Sequence, residues 1–153
     1  MSNRTAFLAA IGQSEVGAAL IAETDRGYNV LVGSTPGHPL TFSDYSKHPD
    51  ILDTALDSTA AGLYQINHPT YLMLSAQTGL ADFGPATQDA MALQLIDNRG
   101  ALALVDAGQI DRAMALLMPV WRSLPGATGG VAQNNNSRAQ WLAWYQAAGG
   151  TLT

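Results

Sequence analysis

The sequence predicts an α+β fold in which helices dominate and the strands are confined to one corner. Three observations lead there. Apolar residues recur at helical spacing in most of the chain, as in Phe7 and Ile11, or Ile110, Met114, Leu117 and Trp121. Only residues 28–32, Tyr-Asn-Val-Leu-Val, combine β-branching with alternation, and they precede a turn at 33–39 with two Gly and two Pro and a short return at Leu40-Thr41-Phe42. The 153 residues contain no linker and no internal repeat, so residues 1–153 read as a single domain.

The elements follow in order. Ser2 or Asn3 can cap a first helix over residues 4–15, and Gly17 turns the chain away from it. Residues 18–26 fit a loop or one helical turn. The two short strands then form a small antiparallel β-hairpin directly after the first helix. Residues 43–58 are polar and predict a surface loop with one helical turn near 51–55. Pro69 at a tolerated first position opens a helix from His68 to about Gln77. Gly84-Pro85 opens the next, to Asn98, and a short helix covers 101–107. The spacing of Ile110 to Trp121 predicts another, which Pro119 should kink or close. Residues 127–136, rich in Gly and Asn, predict a flexible loop. Ser137 caps a last helix to about Ala148, ended by Gly149-Gly150.

Composition excludes several classes of function. Apolar residues make up 47% of the chain and charged residues 12%, which argues against disorder. A net charge of −5 disfavours a nucleic-acid surface and binding to anionic membranes. The absence of cysteine removes disulfides and thiolate chemistry. No run reaches about 18 apolar residues, and no basic-then-apolar start marks an export signal, so no membrane anchor is expected. Asp44, His48 and Asp50 share one loop, but scattered histidines in a solvated acidic loop are the commoner arrangement, so no metal and no cofactor is expected. No Ser sits in a nucleophile elbow, and no Gly-rich loop ends in Gly-Lys-Ser/Thr.

Carboxylates remain. Glu15 falls on one stripe with Phe7 and Ile11, so it points toward the interior from the last turn of its helix. Burial and the negative end of the helix dipole both favour the protonated acid. A neutral carboxylic acid in such a place can protonate a leaving oxygen. Sugar hydrolysis usually needs a second carboxylate, and Glu23, Asp25 and Asp44 are candidates that spacing does not separate. Tyr64 and Gln65 follow the small-residue run 58–62 and are polar groups able to face a ligand.

Arg4-x-x-Phe7-Leu8, Ser14-Glu15, Gly27-Tyr28-x-Val30-x-Val32-Gly33 and Phe42-x-Asp44-Tyr45-Ser46-x-His48-Pro49 occur in that order. Ser58-Thr59-x-Ala61-Gly62-x-Tyr64-Gln65, Gln88-Asp89-Ala90-x-Ala92-Leu93-Gln94-x-Ile96 and Arg99-Gly100-Ala101-Leu102 follow. Trp121-x-Ser123-Leu124-Pro125-Gly126 and Ala148-Gly149-Gly150-Thr151 complete the series. Each block is weak alone. Together, at nearly preserved spacing, they resemble the endolysin family typified by phage lambda.

That resemblance implies a lysozyme-like fold, mostly helical, with the β-hairpin beside the catalytic helix. It implies a lytic transglycosylase that cuts the β-1,4 bond between N-acetylmuramic acid and N-acetylglucosamine, leaving 1,6-anhydro ends. Glu15 matches the family's catalytic glutamate. Related phage lysozymes that hydrolyse use a Glu, an Asp and a Thr; here Thr24 and Val30 stand at the latter two offsets. Tyr64 and Gln65 are expected to line the cleft, with Ser58, Asp44 and Tyr45 at its rim and Trp121 and Leu124 at the opposite wall. Leu63 stands where the family often has Arg, and Val16 where it often has Gly. The implied partner is peptidoglycan, met by a monomer made in the host bacterial cytoplasm and acting in the periplasm once a holin opens the inner membrane. The alternatives are a hydrolytic muramidase on the same bond and a non-catalytic peptidoglycan-binding protein of a phage tail.

Overall fold

Helix α1 (Asn3–Glu15) starts where the Ser2 hydroxyl accepts the Thr5 N–H at 3.2 Å and ends before a turn at Gly17, whose φ of 90° suits glycine. The computed structural model describes residues 2–126 and 136–153. Among these the helices are α1, α2 (Ala18–Glu23), α3 (His68–Thr78), α4 (Pro85–Asn98), α5 (Leu102–Asp106), α6 (Ile110–Leu117) and α7 (Arg138–Ala147). Asn67 caps α3 by accepting the Thr70 N–H, and Ser137 caps α7 by accepting the Gln140 N–H. Most of the loop expected over 127–136 lies outside the described residues.

The chain packs as two compact units. One comprises residues up to Glu15 together with Leu93–Thr153. In it α1 lies against α7 and α5, and Phe7 meets Trp141 edge-on at 4.9 Å between ring centroids. Phe7, Ile11, Leu117, Leu124, Trp141 and Tyr145 have no exposed surface. The C-terminal segment closes this unit: Thr151 N–H donates to Asn3 Oδ1 and the Tyr145 hydroxyl to Thr151 O. Gly150 lies directly on the Tyr145 ring, so a methyl there would strike it.

The other unit spans Val16–Ala92. Its core holds Val30, Phe42, Ala61, Tyr64, Ile66, Leu74, Phe83 and Met91. Here the structure corrects the sequence reading. The expected β-hairpin is not a pair of strands but a set of isolated antiparallel bridges, Val30 to Thr41 and Leu31 to Ala61 among them. Residues 29–32 do meet two neighbours: Leu31 N–H donates to Leu40 O, and Val32 N–H to Ala60 O. Each pairing stops after a residue or two because Val30 N–H and Ser34 N–H are drawn back into turns at Gly27 O and Leu31 O. The helical turn expected near 51–55 is also absent; Asp53 and Ser58 instead exchange both backbone hydrogen bonds across a tight turn. In the first unit α6 ends at Leu117, short of Trp121, and Pro119 follows at once.

Candidate active site

Glu15 is the final residue of α1 and is half-buried, one step along the stripe from the fully buried Phe7 and Ile11. The residue before it is gripped. The Ser14 hydroxyl lies 2.5 Å from that of Ser123, and Asn136 Nδ2 donates to Ser14 Oγ at 3.3 Å and to Ser123 O at 3.1 Å. The turn at 121–124 that carries Ser123 is itself fixed by burial: Trp121 is 2% exposed and Leu124 not at all. Neither was placed in the core by the sequence reading, which expected a cleft wall. Ser123, 1% exposed, reaches the end of α1 in their place.

The other candidates belong to the unit spanning Val16–Ala92. Tyr64 is 2% exposed, and its hydroxyl donates to Asp89 Oδ1 at 2.6 Å. Tyr28 donates to the same oxygen at 2.9 Å. Burial first, and the carboxylate second, push the Tyr28 phenol up to about 12 and move Tyr64 in the same direction. Both therefore stay neutral donors. Gln65 sits at φ 51° in the turn and donates from Nε2 to Gly62 O. Gln88, 1% exposed, holds that turn from beneath: its Oε1 accepts Leu63 N–H, and its Nε2 donates to Tyr28 O and Phe83 O. Gly62 lies so close to this carboxamide that a Cβ would collide with it. Leu63 is buried and faces Gly27.

Asp44 is exposed and accepts Ser46 N–H, and hydrogen bonding from Ser46 lowers its pKa. Tyr45 donates to Asp25 Oδ2 at 2.7 Å; burial and this carboxylate raise the Tyr45 pKa. Ser58 is half-buried and lines a cavity of about 320 Å³, together with Asp50 and His68, whose Oδ1 and Nδ1 stand 3.6 Å apart. His48 is the residue most at odds with a solvated loop. It is 2% exposed among the rings of His68, Tyr71 and Phe83. Its Nδ1 accepts Asp50 N–H at 3.0 Å, so Nε2 carries the proton it gives to Ile66 O at 2.7 Å. Desolvation lowers its pKa. Among the described residues, no three His, Asp or Glu gather as metal ligands.

The structure thus separates the candidates into Glu15, Trp121 and Leu124 in one unit and Asp44, Tyr45, Ser58, Tyr64 and Gln65 in the other. The sequence reading missed Ser123, Asn136, Gln88 and Asp89. Ser123, Gln88 and Asp89 stood within the quoted blocks, but their partners are remote: 109 positions for Ser123 with Ser14, and 60 for Gln88 with Tyr28.

A family model described as Endolysin matches residues 5–152. An endolysin of Escherichia phage lambda is 41% identical over 131 residues, 84% of this chain and 78% of its own. An endolysin of Escherichia phage P2 is 37% identical over 156 residues, covering 97% and 93%. Bacteriophage lambda lysozyme complexed with a chitohexasaccharide superposes with a TM-score of 0.86 at 38% identity, over 99% of this chain and 96% of that one. A second structure of lysozyme from bacteriophage lambda gives 0.81 at 37% identity.

Proposed function

The chain belongs to the endolysin family, and we propose that within it the protein is a lytic transglycosylase with Glu15 as the sole acid and base. At the coarser level it is a lysozyme-like phage endolysin, an enzyme of peptidoglycan lysis. The finer reading assigns it the β-1,4 bond between N-acetylmuramic acid and N-acetylglucosamine. The Glu15 carboxyl gives its proton to the glycosidic oxygen as the bond to the muramic anomeric carbon breaks, and the glucosamine leaves with a 4-hydroxyl. The resulting carboxylate takes the proton of the muramic 6-hydroxyl, whose oxygen closes on the same carbon. The product is a 1,6-anhydro end, and no water enters.

The observation that carries this reading is the place of Glu15 as the last residue of α1 in a chain matched to the family over 5–152. The helix dipole favours the neutral acid at that end. Two further features support the one-carboxylate route. Thr24 and Val30 stand where hydrolytic relatives would carry Asp and Thr; Thr24 Oγ1 donates to Leu20 O, and Val30 is buried. The three other candidate carboxylates have partners of their own: Glu23 accepts Gly37 N–H, Asp25 the Tyr45 hydroxyl and Asp44 the Ser46 N–H. In this reading Gln65, Ser58, Asp44 and Tyr45 meet the glycan from the unit spanning Val16–Ala92, where the buried Tyr64 supports the turn that carries Gln65, and the buried Trp121 and Leu124 support the segment next to Glu15 in its own unit. The same reading makes the protein a monomer, produced in the host cytoplasm and reaching the periplasm after a holin opens the inner membrane.

Fragments released from purified Gram-negative sacculi test the chemistry. Mass spectrometry is expected to find muramic ends one water lighter than hydrolysis products. Reducing ends throughout would overturn the transglycosylase reading and leave a hydrolytic muramidase. Binding to the wall with no fragments released would leave a binding protein.

A further inference from the structure

We infer that Ser14, Ser123 and Asn136 are positioning residues that set the orientation of Glu15 through the last turn of α1. The inference rests on the proton-transfer role proposed for Glu15. Three segments of one packed unit meet here: the end of α1, the buried turn after α6, and the residue before the cap of α7. The two serine hydroxyls are 2.5 Å apart. Asn136 Nδ2 reaches both serines, one at Oγ and the other at its carbonyl, and Asn136 N–H donates to the same Ser123 carbonyl at 3.1 Å.

This geometry suits orientation better than stability. The last turn of a helix frays, because its carbonyls have no donors further along the helix. Glu15 is the terminal helical residue, and the chain leaves it through Val16 to the turn at Gly17. The Ser14–Ser123 bond fixes the residue immediately before Glu15 to a turn locked by Trp121 and Leu124. Water would satisfy both hydroxyls almost as well in the unfolded chain, so the pair adds little net stability. What it adds is direction, since hydrogen bonds weaken steeply off axis. The linkage reaches Glu15 through the backbone of residue 14, which the Ser14–Ser123 bond fixes.

The test compares Ser14→Ala, Ser123→Ala and the double variant with the parent on soluble glycan fragments, following kcat, KM and thermal unfolding. Each single change is expected to lower kcat about tenfold, short of the roughly hundredfold that a full ångström of misplacement costs, with KM within about twofold. The double variant is expected to match the singles, because both remove the same bond. Parent kcat in both single variants, or effects that multiply in the double, would overturn the inference. Should Ser123→Ala fail to fold, Ser14→Ala at the half-buried site decides alone. Glu15→Gln is assayed in parallel. If it stays active, the function proposed above falls whatever the serines do; if it is dead while the serine variants run at the parent rate, only the positioning role falls.

Discussion

The two packed units are held together by different means. In the unit containing α1, α5, α6 and α7, aromatic and aliphatic side chains at helical spacing fill the interior, and the ion pairs, such as Arg4 with Asp106 at 2.7 Å, lie on the surface. In the unit spanning Val16–Ala92, little regular sheet forms, and buried polar side chains close the turns that strands would otherwise pair. Gln88 serves three backbone groups, Asp89 holds two phenols, and His48 ties Asp50 to Ile66. The difference teaches where each unit is vulnerable. An apolar core loses stability in proportion to what is cut away, whereas a buried polar hub leaves unpaired groups behind when it is cut.

The sharpest break in that comparison is Gln88→Leu. It keeps the bulk but orphans Leu63 N–H, Tyr28 O and Phe83 O, and each buried orphan costs about 1–3 kcal/mol. A loss of about 3–5 kcal/mol in urea unfolding is expected; a loss below about 1 kcal/mol would mean the turns hold without it. A smaller effect comes from pH. His48 is neutral in the fold and its pKa lies below the ordinary 6.5, while the unfolded chain binds the proton at the ordinary value. Its contribution is therefore intact above pH 6.5 and declines as pH falls toward the folded pKa. The decline is no steeper than about 1.4 kcal/mol per pH unit. Protonation would set a new Nδ1–H against Asp50 N–H. Denaturant unfolding at stepped pH should show this slope, and His48→Gln should flatten it. The smallest effect belongs to the helical unit's surface: Arg4→Ala should change stability by less than about 1 kcal/mol, and less still in high salt, because the pair is nearly half-exposed.

The same contrast explains what could be read in advance. The helices were legible because their signals are local. Phe7 and Ile11 mark a face within two turns, and Ser137 and Pro69 mark starts in place, so α1, α3, α4 and α7 fall within a residue or so of expectation. Residues 18–23 showed no decisive period, yet they form α2. The turns of the unit spanning Val16–Ala92 depend on contacts across long separations that no period encodes. Tyr28–Val32 carries strand-like residues, but Gly27 O and Leu31 O recapture the N–H groups a ladder would use. His48 looked like loop because Lys47, Asp50 and Asp53 surround it in sequence; three aromatic rings and two backbone partners bury it. At the candidate site, the spacing of Glu15 to Phe7 and Ile11 predicted that it shares their stripe, and it is half-buried at the end of α1. Ser123 was legible only as part of a block, since nothing in the sequence connects it with Ser14.

The central claim is that one carboxyl, at the end of a rigidly packed helix, carries the proton both ways. Glu15→Gln tests it most directly, because it keeps the size and removes only the titrating group. Assayed on purified sacculi, the variant should retain the parent unfolding temperature and lose bond cleavage by at least about a thousandfold, within the usual range of roughly 10²–10⁴ for a positioned acid–base group. Digestion at the parent rate by a folded Glu15→Gln protein would contradict the claim and place the chemistry on another residue.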